Sequence, residues 1–171
     1  ALLVYLIVES NRPHRRESLV GLLWPDYPED VARHNLRQAL FNLRLTLSDH
    51  TASPPYLLIS RHAIQFNRKS DYSLDLDLFT YYFDTCEDNL SQCKEDCSIH
   101  ASRLEELVKL YRGDFLQLFF LNDSTEFEEW TLMQRESTHQ RVLDAHSYLA
   151  DYYELHRDFQ AVRRHAARML E

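Results

Sequence analysis

The stretch Glu29–Leu47, EDVARHNLRQALFNLRLTL, restricts the fold of this 171-residue chain more than any other. Ala32, Leu36, Ala39, Leu40, Leu43 and Leu47 recur at steps of three or four, the spacing of an amphipathic helix with one buried stripe. Pro28 precedes it, Glu29 and Asp30 set carboxylates in its first turn, and Ser48-Asp49 follow its end. At about 100° per residue, Arg33, Arg37 and Arg44 gather along one edge of the opposite surface. His34, Gln38 and Asn42 fill out the rest of that side. Such a helix packs with one face and offers the other, rich in donors for phosphates and base edges, to a DNA groove. The alternative is a solvated basic face on an ordinary core helix.

Only two glycines and five prolines, with 44% hydrophobic and 27% charged residues, describe a mostly helical globular protein. The length suits one large or two small domains, each able to bury a core. No run approaches the roughly 20 apolar residues of a membrane span. The opening ALLVYLIV lacks the basic flank of a secretory signal and reads as the middle of a buried helix. With no initiator Met, the chain is expected to be cut from a longer one. Cys86, Cys93 and Cys97 are an odd set in a chain without an export signal, so reduced thiols in a cytoplasm are expected. The net charge of −8 speaks against nucleic-acid binding until its distribution is examined. Residues 1–75 carry nine Lys and Arg against eight Asp and Glu, whereas residues 76–171 carry ten against nineteen. The basic potential is confined to the first half, and the acidic half has another task.

In chain order, residues 1–8 predict a helix closed by the turn-forming ESNRP. His14–Trp24 predicts a second helix, with Leu19, Leu22 and Leu23 inward and Arg15 and Arg16 in its first turn. Pro25-Asp26-Tyr27-Pro28 forces a non-helical connection into the long helix. After the polar loop SDHTASPP, the β-prone runs YLLIS and AIQFN flank Arg61-His62 and predict a hairpin, although that pair lacks the glycine of the tightest turns. Helix, helix, helix, hairpin is the order of a winged helix, whose third helix enters the major groove. Beyond Asp71 the pattern changes to one of successive helices. Leu76–Cys86 presents Leu76, Phe79, Tyr82 and Phe83 on one side, and the charged segment 87–98 reads as a loop. A helix follows over Ile99–Tyr111, with Gly113 suited to a left-handed cap. The apolar run 115–121 is expected to lie buried across neighbouring helices. Ser124 and Thr125 then open a helix with an acidic first turn that runs to about His156, and a turn at Arg157-Asp158 starts a last helix through Leu170. Successive helix pairs of this length fit a helical-repeat array.

The run RPHRRESLVGLLWPDYPEDVARHNLRQALFNLRLTL resembles the DNA-binding domain of the antibiotic-regulatory-protein class of bacterial activators, cousins of the OmpR-type winged helix. Leu23-Trp24-Pro25-Asp26, Ala32, Asn35-Leu36-Arg37 and Leu43-Arg44 carry that resemblance. The second half is similar to the bacterial transcriptional activator domain, a tetratricopeptide-like module that follows such winged helices. Its marks are Leu110-Tyr111-Arg112-Gly113-Asp114-Phe115-Leu116, Phe127-Glu128-Glu129-Trp130 and Tyr152-Tyr153-Glu154. Family members begin with a small β-sheet ahead of the first helix, which is missing here. Arg157 stands where the last repeat turn usually has Gly, Arg163 takes a usual apolar position, and the segment 87–98 is longer than usual.

Together these readings give a mainly α chain: a truncated winged helix of three helices plus a β-hairpin wing over residues 1–71, then a tetratricopeptide-like helical repeat domain over 72–171. The expected function is promoter binding by a cytoplasmic transcriptional activator. Double-stranded DNA would be held by Arg33, His34, Arg37, Gln38, Asn42 and Arg44 of the third helix, Arg61 and His62 of the wing, and Arg15 and Arg16 at the second helix's start. The resemblance implies that the linker Pro25–Pro28 could touch RNA polymerase, whereas its residues alone read as a rigid turn. The helical half would hold a partner, a second copy or an adjoining regulatory domain, with no membrane contact. The other class of reading is a protein-interaction scaffold that does not bind DNA. Trp24 and Trp130 read as core anchors. Cys86, Cys93, Cys97 and His100 could face one another, but no Cys-x-x-Cys pair exists and no metal or cofactor is expected. There is no phosphate-cradling glycine loop, nucleophile elbow or His-Glu-x-x-His helix, so no enzyme is expected.

Overall fold

A computed structural model describes residues 1–90 and 97–170. Among them the chain is mainly helical, with seven helices and one three-stranded antiparallel sheet. It divides into two compact units, Ala1–Tyr72 with Leu118–Thr131, and Ser73–Gln117 with Leu132–Glu171. Residues 118–131 thus pack with the first unit, although the sequence reading assigned everything after 71 to the second.

In the first unit, α1 (Leu2–Val8) buries Leu2 and Leu6. The Tyr5 ring stands edge-on to His14 and to Trp130, each at 5.1 Å. Trp130 Nε1 donates to Glu9 Oε1 at 3.1 Å, so the indole is buried with its one donor satisfied. Next comes strand β1 (His14–Arg15), where a helix was expected to have started. It pairs with β3 (Ala63–Phe66), which in turn pairs with β2 (Leu57–Ile59), both antiparallel. The buried His14 ring, hydrogen-bonded to the Glu9 carbonyl at 2.7 Å, and the ladder to Ile64 hold this piece extended. Helix α2 therefore begins at Arg16 and ends at Leu23, and Arg15 lies on the strand and not in a first helical turn. Leu19 and Leu23 are buried; Leu22 is half-buried.

Helix α3 (Glu29–Thr46) has nearly the predicted bounds. Its stripe is inward: Ala32, Leu36 and Leu40 are buried, and Ala39, Leu43 and Leu47 are half-buried. Past its end Ser48 takes a positive φ of 51° and turns the chain back. Asp49 follows, its carboxylate buried, accepting from Leu57 N at 2.9 Å and from Arg44 Nε at 3.1 Å. That one side chain ties the end of α3 to the start of the sheet. The β2–β3 turn manages without glycine because the Ser60 hydroxyl accepts from the amides of His62 (3.3 Å) and Ala63 (2.9 Å). Ser124 is buried and caps the next helix, accepting from Phe127 N at 3.0 Å while donating to the Leu22 carbonyl. Phe127 and Trp130 complete this core.

The run 115–121 is not the buried crossing segment expected. Leu118 is 91% exposed and Phe120 62%, with Phe119 at the surface although its ring meets Phe127 edge-on at 6.2 Å. A very apolar stretch without helical or strand periodicity has no face to bury, and here it runs as irregular surface chain.

The second unit holds α4 (Asp75–Leu90), α5 (Cys97–Leu110), most of α6 (Thr125–Leu155) and α7 (Phe159–Arg168). Its core is Phe79, Ala101, Leu104, Leu107, Val142, Ala145 and Leu149, wrapped by tyrosines at 82, 111, 148, 152 and 153. Of the expected loop 87–98, residues 87–90 continue α4 and residues 97–98 begin α5, since EDNL contains no helix breaker. Gly113 adopts φ +150°, and Arg157 sits in the left-handed region at φ +60°, where the α6–α7 turn calls for glycine. Among the described residues, no helix is long and apolar enough to cross a membrane.

Candidate nucleic-acid interface

The ten residues singled out for DNA contact all belong to the first unit, but the fold treats them differently. Projected at about 100° per residue from Ala32, the buried positions of α3 lie between roughly −20° and 80°, and Arg33, Arg37 and Arg44 between about 100° and 140°. The arginines thus stand on one shoulder of the helix. Its outermost line, at roughly 180–240°, holds His34, Gln38, Phe41 and Leu45, all exposed.

The shoulder faces the start of α2 and the tip of the hairpin. Arg16 donates to the Ser60 carbonyl from Nε at 3.3 Å and from its terminal nitrogen at 3.1 Å, while its amide donates to His62 O at 3.0 Å. The turn carrying Arg61 and His62 is thereby fastened to the first residue of α2. A groove of about 560 Å³ results, lined by Arg16, Glu17, Arg33, Leu36, Arg37, Arg61 and His62. Five of the ten predicted residues meet there, four of them arginines. Arg33 is partnered by Glu29 one turn earlier, an exposed pair that leaves the guanidinium at the surface. Arg37, Arg61 and His62 are exposed.

The other five are dispersed. His34, Gln38 and Asn42 run along the outer face, Gln38 Nε2 donating to Asn42 Oδ1 at 3.0 Å. Arg15 projects from β1. Arg44 is engaged with buried Asp49, so its first role is to the fold, with part of the guanidinium still exposed. The linker Pro25–Pro28 exposes Tyr27, and Trp24 is half-buried, less of a core anchor than Trp130.

A second cavity of about 420 Å³ adjoins the first, sharing Arg16 and Arg37 and adding Leu40, Phe41, Arg44, Leu45, His50 and Ile59. Its exposed apolar residues were not among the expected contacts. The sequence held a sign of them: Phe41 and Leu45 fall off the buried stripe, where an apolar side chain has no core to enter. For the thiols, Cys93 lies outside the described residues, as do the side chains of Cys86 and Cys97. Among the described residues no three His, Cys, Asp or Glu side chains are grouped to hold a metal ion.

Neither a protein-family model nor a curated protein matches the chain.

Proposed function

We propose that the first unit is a winged helix that binds double-stranded DNA, and that the chain acts as a transcriptional activator. Helix α3 would enter the major groove and the β2–β3 turn would flank it on the backbone. The observation that carries this reading is the convergence of Arg16, Arg33, Arg37 and Arg61 on one groove beside α3, in a chain whose net charge is −8. Four guanidiniums from three separate elements form a surface suited to phosphates, and His34, Gln38 and Asn42 add base-edge donors and acceptors beside it. In this reading the helical second unit, tetratricopeptide-like in its resemblance, contacts a second copy or an adjoining regulatory domain, and exposed Tyr27 of the linker meets RNA polymerase. The setting is a cytoplasm, and the activity is binding, not catalysis.

The test is an anisotropy titration of a labelled duplex by the 171-residue chain across a salt series. Four phosphate-facing arginines give a slope of log affinity against log salt of roughly −4, and Arg37→Ala with Arg61→Ala lowers its size by about two. Binding that is absent, or insensitive to salt and to this double change, overturns the reading. It would favour the scaffold alternative, for which the exposed Phe41, Leu45, Leu58 and Ile59 speak.

A further inference from the structure

Phosphate contact accounts for the arginine shoulder of α3 but not for the apolar side chains on its outermost line. Phe41 is 58% exposed and Leu45 53%, one turn apart, and the Arg37 guanidinium stands one turn before Phe41. They belong to the 420 Å³ cavity whose apolar lining is Leu40, Phe41, Leu45 and Ile59 and whose cations are Arg16, Arg37 and Arg44. An apolar group carried on a polyanion would complement both halves of that lining. A helix set in the major groove meets one protruding apolar group there, the C5-methyl of thymine, amid the hydrogen-bond donors and acceptors of the base edges.

We infer that Phe41, with Leu45 beside it, reads a thymine methyl group in the DNA bound by α3. This rests on the DNA-binding reading above and adds to it a base preference set by an apolar contact. The placement is consistent in scale. Residues one turn apart on a helix are separated by about 5–6 Å, against a rise of about 3.4 Å per base along a strand, so Arg37 on a phosphate leaves Phe41 over a base edge one or two steps away. The hydrogen-bonding side chains at positions 34, 38 and 42 lie on the far side of Phe41 from the arginines. The outer face of α3 therefore passes from phosphate contact through an apolar contact to polar base contact as it crosses the groove.

Duplexes retained from a random pool by the full 171-residue chain at low salt supply the probe. Each is remade with deoxyuridine for every thymidine, which removes the methyl and leaves the Watson–Crick edge intact. The thymine duplex should bind about fourfold more tightly per methyl buried, and single replacements should confine the effect to one or two positions. Phe41→Ala should bind both duplexes alike while keeping its salt dependence, and Phe41→Leu should restore part of the preference. Phe41 is mostly exposed, so both variants should retain the parent's unfolding midpoint, which is measured alongside. Equal affinity of the parent for both duplexes, or a preference that survives in Phe41→Ala, overturns the inference while leaving DNA binding intact. Retention of no duplex at all overturns the DNA reading and this inference with it.

Discussion

Asp49 is the residue whose replacement most directly tests how α3 is held against the sheet. Its carboxylate is buried, and it accepts from the buried Leu57 amide at 2.9 Å and from Arg44 Nε at 3.1 Å. Asp49→Ala leaves the Leu57 N–H without a partner away from water, at a cost of about 1–3 kcal/mol. Loss of the Arg44 contact adds about 0.5 kcal/mol, small because the Arg44 side chain is half exposed and its field is screened. The expected destabilisation is roughly 1.5–3.5 kcal/mol. Asp49→Asn keeps a carbonyl for the amide and should cost about 1 kcal/mol. Both tryptophans, Trp24 and Trp130, lie in the first unit, so their fluorescence in a urea titration follows its unfolding. With a slope of about 2 kcal/mol per molar, Asp49→Ala should lower the midpoint by about 1 M. A midpoint within about 0.2 M of the parent's, or Asp49→Asn as damaging as Asp49→Ala, would refute the assignment of the effect to the Leu57 bond.

Two predictions concern the second unit. His146 and His165 are buried with their Nδ1 atoms 2.9 Å apart, and His165 Nε2 lies 3.1 Å from Glu105 Oε1. Burial is the main cause holding both imidazoles below their ordinary value of 6.5, aided at His146 by the neighbouring His165 and Arg168 and opposed at His165 by Glu105. The unfolded chain therefore binds more protons as the pH falls through 6.5, so stability present above that value is lost on acidification through the lower folded values. Urea midpoints by circular dichroism should fall between pH 7.5 and 5.5, and replacing both histidines by glutamine should flatten the fall; an unchanged slope would sink the explanation. For Glu105, burial pushes the pKa up, but hydrogen bonds from Tyr153 and His165 and the charges of His165 and Arg164 outweigh it and hold it low. Its contribution is complete above the ordinary carboxylate value of 4.5 and is lost as the pH falls from there through the lower folded value. Arg157→Gly should stabilise this unit by about 1 kcal/mol, because a left-handed φ of 60° strains a side-chain-bearing residue. A lowered thermal midpoint would show that the Arg157 side chain contributes more than its backbone costs.

Legibility of the fold followed the range of the forces involved. Helix α3 was readable because its stripe, its acidic first turn and Pro28 are all local, and the same holds for the two strands about Arg61-His62. Strand β1 was not, because two residues carry no period; His14 and Arg15 are extended through pairing with Ile64 and Ala63, some fifty positions away. The allegiance of Phe127 and Trp130 was hidden for a related reason. Apolar spacing says that a helix end is buried but not in which of two cores, and here Glu9 and Tyr5 take Trp130, with Phe127 against it, into the first.

The candidate site shows the same division, with a further consequence. Helical spacing placed Arg33, Arg37 and Arg44 on one edge, but not which of them face a groove and which are bound into the fold. That depends on Asp49 and Ser60, polar residues that sequence reading left as loop and strand end. Asp49 draws Arg44 down onto the sheet, and the Ser60 carbonyl draws Arg16 up to the hairpin tip. Arg16 thereby replaces Arg44 beside Arg37 in the larger groove, which Arg44 does not line. An arginine already bonded to a buried carboxylate has less freedom to follow a phosphate than one on an open shoulder. Arg37→Ala should therefore weaken salt-dependent binding more than Arg44→Ala, while their effects on unfolding run in the opposite order. If one substitution dominates both measurements, the separation of fastening from recognition on α3 fails.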